Sequence, residues 1–210
     1  MKNKALLKCG IFIASMAMVI SGINCSVANP VAPSWEVDVK IPLFYNNVNI
    51  SDLLKLDVSA NKGPGFPIMF EKAVFVSEVM AVDVTAAKGI FEDGHIEYTM
   101  INRLGIGIDS ATIFISRSAS EVFQSPEIII GPLSVAAAEV DDQGCVVNPS
   151  TTQLTRVLGH DEAKILDNES GLVYVGYSIN VSGTDGQAIV INPQESLFSK
   201  ASLSVKIKMN

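Results

Sequence analysis

Few side chains in this sequence are of the kinds that do chemistry, so each is weighed first. The two histidines are His95 and His160. Neither stands at the His-x-x-x-His or Cys-x-x-Cys spacing that brings imidazoles or thiolates onto one metal ion, so no metal site is expected. His95 falls on the polar side of an alternating stretch beside Glu97, and His160 has Lys164 one helical turn on; both read as exposed polar residues. Serines and aspartates are plentiful, yet no Gly-x-Ser-x-Gly elbow marks one serine as a nucleophile. Cys145 follows Asp141-Asp142-Gln143-Gly144, an acidic turn that disfavours a thiolate, and reads as a small buried residue in a strand. Asp141-Asp142 and Asp167-Asn168-Glu169 lack the Asp-x-Asp-x-Asp-Gly calcium pattern and read as solvated turns. The glycines of Asn61-Lys62-Gly63-Pro64-Gly65-Phe66-Pro67 lack the Gly-Lys-Ser/Thr ending of a phosphate cradle. No catalytic residue, metal or cofactor is expected, and the chain reads as a non-enzyme.

The remaining cysteines, Cys9 and Cys25, stand within and at the end of the leader. Lys2, Lys4 and Lys8 precede an apolar run from Ile11 to Ile20, followed by Gly22 and small residues, which is the order of a bacterial export signal. The run is too short to span a bilayer as an ordinary helix. Two cleavages compete. Ser26-Val27-Ala28 would release a soluble, secreted or periplasmic chain from Asn29. Cleavage after residue 24 would instead expose Cys25 for lipidation, although Gly22 and Asn24 stand where a lipobox usually carries Leu and a small residue. Lipidation at Cys25 is the preferred reading. It makes residues 1–24 the signal peptide (1–28 in the alternative), 25–33 a Pro-bearing tether and 34–210 a single folded domain. Each acyl methylene buried in a membrane contributes about 0.8 kcal/mol, so several chains would hold the protein at the surface.

Without the leader about 186 residues remain, enough for one sizeable core. The leader holds three lysines and no acid, which leaves 12 basic against 22 acidic residues and a formal charge of −10. Such a chain repels phosphate backbones, so nucleic acid is not an expected partner. With Cys9 removed and Cys25 acylated, Cys145 has no partner, and a disulfide framework is excluded by count.

The elements that would position these residues read as strands. Trp35, Val37, Val39 and Ile41 alternate with Glu36, Asp38 and Lys40, and Pro42 is expected to close that strand at Leu43. Ser51-Asp52-Leu53-Leu54 reads as a capped helical turn. From Ile68 to Thr85 the β-branched content favours strands. Glu92-Asp93-Gly94 reads as a hairpin turn into His95–Ile101, with Ile96, Tyr98 and Met100 on one face. Leu104, Ile106 and Ile108 alternate with glycines, a flat face that other backbone can approach closely, and Ile113 and Ile115 continue the period. Gly131-Pro132 breaks the run Glu127–Val140 into two pieces. Thr152–Leu166 is the best helix candidate by its spacing of Leu154, Val157, Leu158, Ile165 and Leu166. Val173–Val181 is a long strand, which Gly183-Thr184-Asp185-Gly186 would turn back into Ala188–Ile191 as a hairpin. Leu203, Val205, Ile207 and Met209 alternate to the end. The fold class is therefore all-β: an antiparallel β-sandwich or a curved two-sheet variant, with one short helix near 152–166.

Pro33-Ser34-Trp35-Glu36-Val37, then Ile41-Pro42-Leu43 and Ile50-Ser51-Asp52-Leu53-Leu54, resemble the opening of a group of bacterial exported proteins and lipoproteins in which a Cys-started tether leads into a Pro-x-Trp-Asp-Val strand ending in Ile-Pro-Leu. The resemblance covers about a tenth of the chain. It implies an envelope or extracellular location and a β-rich body, and supplies no activity and no functional residues.

The expected function is that of a non-enzymatic exported envelope protein, anchored to a membrane by lipid and acting as a structural or protein-binding β-module for other envelope proteins. The alternative is a carrier holding a lipid or other apolar ligand between its sheets, and third comes an extracytoplasmic hydrolase.

Overall fold

Period-two alternation builds most of this chain into ladders. The computed structural model describes residues 35–55, 64–87, 91–166 and 169–209. The leader, the tether, Cys25, Asp167 and Asn168 lie outside the described residues. Residues 36–209 form one compact unit, and it is an antiparallel β-sandwich.

One sheet has the order β1-β13-β5-β10, from β1 (Trp35–Asn49), β5 (Phe91–Asn102), β10 (Ser150–Leu158) and β13 (Ser196–Met209). The second runs β3-β11-β6-β7, from β3 (Ala73–Val76), β6 (Ile108–Ser116), β7 (Ile128–Val135) and β11 (Leu172–Val181). The short β4 (Met80–Asp83) continues the β3 side of β11. Two small ribbons complete the strands: β2 (Phe66–Ile68) with β12 (Ile189–Ile191), and β8 (Glu139–Val140) with β9 (Val146–Asn148). Among the described residues helix is confined to α1 (Ile50–Leu54), α2 (His160–Ala163) and a 3-10 turn at Thr85–Ala87. Among the described residues no helix is long and apolar enough to cross a membrane.

The inward faces carry the alternation that the sequence shows. Ile96, Tyr98 and Met100 of β5 and Val173, Val175, Tyr177, Ile179 and Val181 of β11 are all fully buried. Phe44 joins the sheets, stacked on Tyr177 at 5.1 Å between ring centroids and edge-on to Tyr98 at 6.0 Å. Both buried phenols are satisfied: Ser199 Oγ donates to Tyr98 at 3.1 Å and Asn46 Nδ2 to Tyr177 at 2.6 Å. Burial pushes both phenol pKa values up, so the rings stay neutral.

The chain passes from the first sheet to the second at residues 103–107, and Asn102 clamps that crossing. Its side chain is fully buried. Nδ2 donates to the carbonyls of Ile106 (2.7 Å) and Ala136 (2.9 Å), while Oδ1 accepts from the Leu104 N–H (2.9 Å). At the glycines expected to admit other backbone, a Cβ on Gly107 would sit 3.6 Å from the Ala137 nitrogen and the Val135 carbonyl oxygen, while at Gly105 the neighbour is a side chain, Val140 Cγ2 at 3.0 Å.

Several local expectations are corrected. Pro42 does not end β1; it lies exposed within a strand that runs to Asn49, and β1 is an edge strand, the place in a sheet where proline is tolerated because only one side of the strand is paired. Glu92-Asp93-Gly94 is no turn but part of β5, where a register shift between Lys206 and Ile207 absorbs one extra residue as a bulge. Residues 152–158 are strand, with helix limited to α2; Leu154 and Leu158 fit period two as well as a helical period, and Val157 is 72 % exposed, on the side a helix would have buried. Gly131-Pro132 lies inside a single strand, β7, accommodated by register shifts against β6.

The turn at 184–187 forms, but β12 pairs with β2 and not with β11. The chain is drawn there because the Thr184 N–H donates to the Phe70 carbonyl at 2.9 Å. Gly183 makes the approach possible, since a Cβ on it would lie 1.5 Å from the Glu71 carbonyl oxygen. The turn at α1 is helical, but its N-cap is Asn49 and carries no side-chain capping bond.

Candidate functional site

The outward face of the four-stranded sheet is where charged, hydroxyl and aromatic side chains converge. The ladder sets them in rows. Val157, His95 and Ser204 stand side by side across β10, β5 and β13, followed by Thr155, Glu97 and Ser202, then Gln153, Thr99 and Lys200, then Thr151, Ile101 and Phe198. The edge strand β1 adds Lys40 and Tyr45. Its alternation slips by one at Leu43-Phe44, where two successive side chains are buried, and that slip turns Tyr45 outward. Tyr45 is 74 % exposed, with its ring edge-on to Phe198 at 4.7 Å.

Three depressions run along this face. The first, about 500 Å³, is bordered by Asp38, Lys40, His95, Ser204 and Lys206. The second, about 360 Å³, lies over Thr99, Gln153, Lys200 and Ser202. The third, about 280 Å³, is lined by Asn47, Arg103, Ser196 and Phe198. Tyr45 borders both the second and the third.

An ion-pair network lies between the first depression, which Lys40 and His95 border, and the second, which Lys40 and Glu97 border. Lys40 Nζ lies 2.6 Å from Glu97 Oε2, and His95 Nε2 lies 3.8 Å from Glu97 Oε1. The hydrogen bond and charge of Lys40 hold the Glu97 carboxyl below its ordinary pKa. His95 thus sits with a carboxylate and borders the same depression as Ser204, which is the arrangement that the hydrolase expectation asks for. The chemistry does not follow from it. The carboxylate faces Nε2, the nitrogen that would take a serine proton if a second carboxylate oriented Nδ1, and Lys40 already binds it. His160 is exposed at the first position of α2 and joins no such cluster. Around it Arg156 and Glu162 pair, and Glu162 Oε2 accepts the Gly159 N–H at 3.0 Å, which fastens the corner between β10 and α2.

The other candidates resolve as local structure. Cys145 is half-buried in the turn before β9, not within a strand. Asp141 Oδ1 accepts the N–H groups of Gln143 and Cys145, both at 2.9 Å, so the acidic turn folds on its own backbone. Among the described residues no group of three His, Cys, Asp or Glu side chains is placed to hold a metal ion. The space between the sheets, where a carrier would keep its ligand, is occupied by Phe44, Phe75, Tyr98 and Tyr177.

Tyr45, Phe198, Lys200 and Arg103 were not singled out by sequence reasoning. The signal for Lys200 and Phe198 was there, since the final alternation extends back to Ser196. Tyr45 was hidden by the slip at Leu43-Phe44, because an uninterrupted period would have turned it inward.

No protein-family model matches the chain, and no curated protein matches it in sequence. Among solved structures, infectious bursal disease virus of the Gx strain aligns over 82 % of this chain and 32 % of that one, at 13 % identity and a TM-score of 0.28. The enzymatically active domain of bacteriophage CBA120 tailspike protein 4 aligns over 83 % of this chain and 19 % of that one, at 9 % identity and a TM-score of 0.28. The chain thus spans about a third and a fifth of those two chains, and likenesses this distant carry no functional argument. What its own strands define is the class, an antiparallel β-sandwich.

Proposed function

We propose that the chain is a non-enzymatic exported envelope protein, anchored through lipid on Cys25, that works as a binding module through the outward face of its four-stranded sheet. The observation that carries this reading is the exposure of Tyr45 on a face that also gathers Lys40, Lys200 and Arg103. An aromatic ring left three-quarters in water on an edge strand adds nothing to the core, and Tyr and Arg are the residues that binding surfaces favour. The basic leader followed by an apolar run supports export.

The test is footprinting of the protein in intact cells against the purified protein, by nitration of Tyr45 and acetylation of Lys200. The expected result is protection of both in cells and reactivity of both when purified. Equal reactivity in the two states overturns the reading.

A further inference from the structure

The two depressions on either side of Tyr45 describe what the face holds. Lys200 borders one, at whose end Lys40 and Glu97 neutralise each other in an ion pair, and Arg103 borders the other. Lys40, Arg117, Arg156 and Lys164 are held in ion pairs, whereas Lys200 and Arg103 have none among the described residues. Between them, apart from the Lys40–Glu97 pair and the Ile101 and Phe198 side chains, stand neutral hydrogen-bonding residues: Thr99, Gln153 and Ser202 on one side, Asn47 and Ser196 on the other. Such side chains offer donors and acceptors to uncharged hydroxyl and amide groups.

Tyr45 stands between the depressions and not at the bottom of one, so an occupant has to be a chain that crosses the ring and continues on both sides. An extended peptide fits poorly. Strand addition would place a peptide along the β1 or β10 edge and not across the face, because the backbone groups of β5 and β13 are already spent in the ladder beneath the floor. For a compact protein partner the described residues of this face offer as apolar anchors Tyr45, Phe198 and Ile101, with Val157 apart from them, a small patch beside the buried apolar centres on which protein interfaces anchor.

Resting on the binding-module reading above, we propose that this face binds an extended glycan bearing carboxylates. One sugar ring lies on the Tyr45 ring, its hydroxyls meet the Thr, Ser, Asn and Gln floor, and carboxylates on the flanking units pair with Lys200 and Arg103. The net negative charge of the rest of the chain is screened over roughly 8 Å at physiological ionic strength, so the local cations govern the contact. The arrangement selects for spaced carboxylates on a hydroxyl-rich chain and against a dense polyanion.

The experiment is affinity electrophoresis of the mature protein in gels containing polygalacturonate, alginate or hyaluronan, with dextran and poly-glutamate in parallel. Retardation by at least one of the three acidic glycans, with neither dextran nor poly-glutamate retarding, is the expected result. Tyr45→Ala and the Lys200→Ala/Arg103→Ala pair are each expected to weaken that binding at least tenfold, while Tyr45→Phe retains it and thermal melts stay unchanged. Failure of all three acidic glycans overturns the proposal, as does equal retardation by poly-glutamate or undiminished binding by Tyr45→Ala. If Tyr45 and Lys200 are protected in cells but none of the glycans binds, the ligand class alone is wrong; if they are unprotected, the binding module falls with it.

Discussion

Replacing Asn102 by Ala removes three hydrogen bonds at one stroke, all at the point where the chain crosses between the sheets. At about 1 kcal/mol of net stabilisation for each bond, the loss is about 3 kcal/mol. It rises towards about 5 kcal/mol where water does not reach the Leu104 N–H and the Ile106 and Ala136 carbonyls, because a buried polar group without a partner costs about 1–3 kcal/mol. That is a large share of the 5–15 kcal/mol typical of a domain. The assay is urea unfolding of the mature protein followed by far-ultraviolet circular dichroism, where a lower midpoint at unchanged slope reports lost stability. Asn102→Asp sharpens the test. The new carboxyl still accepts from the Leu104 N–H but sets a negative oxygen against two carbonyls. Burial and those carbonyls raise its folded pKa above the unfolded value near 3.9. The variant is therefore expected to be less stable than Asn102→Ala at pH 7 and to recover as the pH falls through that raised pKa. A loss under 1 kcal/mol for Asn102→Ala, or an Asp variant more stable than the Ala variant at pH 7, refutes the clamp.

Gly176 lies under the loop between β6 and β7, where a Cβ would come 2.4 Å from Phe123 Cζ and 2.8 Å from Val122 Cγ1. Gly176→Leu is expected to cost about 1–3 kcal/mol by overpacking and to open the segment 118–125 to protease; unchanged melting and cleavage would count against this packing. Burial pushes the Glu127 carboxyl up, but the Arg117 N–H (2.7 Å) and guanidinium (2.6 Å) outweigh it and hold the pKa below 4.5. Its stabilisation is present above that unfolded value and lost as pH falls through the lower folded one, so Glu127→Gln is expected to flatten the acid limb of a melting-versus-pH curve. Identical limbs would show that the pair adds nothing. Intact-mass analysis of the protein exported from a bacterial host is expected to show a start at Cys25 with acyl mass, and Cys25→Ala to abolish membrane retention; an unacylated start at Asn29 ends the anchor proposal.

The buried faces were the legible part of this fold. Ile96, Tyr98 and Met100, and the five residues from Val173 to Val181, declare themselves because a strand exposes successive side chains to opposite environments, and a two-residue period needs no partner to be seen. The errors fell where two periods or two partners compete. Leu154 and Leu158 satisfy a helix and a strand equally. Gly183-Thr184-Asp185-Gly186 specifies a turn but not what the next strand meets, and a bond to Phe70 decided that. Of the candidate site, His95, Glu97 and Lys40 were placed on polar faces correctly, while their meeting across 57 residues of sequence was not visible.

Composition and alternation by themselves determined an all-β body and the polar faces of its strands, because these depend only on which side chains prefer water. The order of the strands, the crossing held by Asn102 and the exposure of Tyr45 were decided by tertiary structure. Each depends on a register or a one-residue slip, and the free energy that fixes it comes from side chains far away in the sequence.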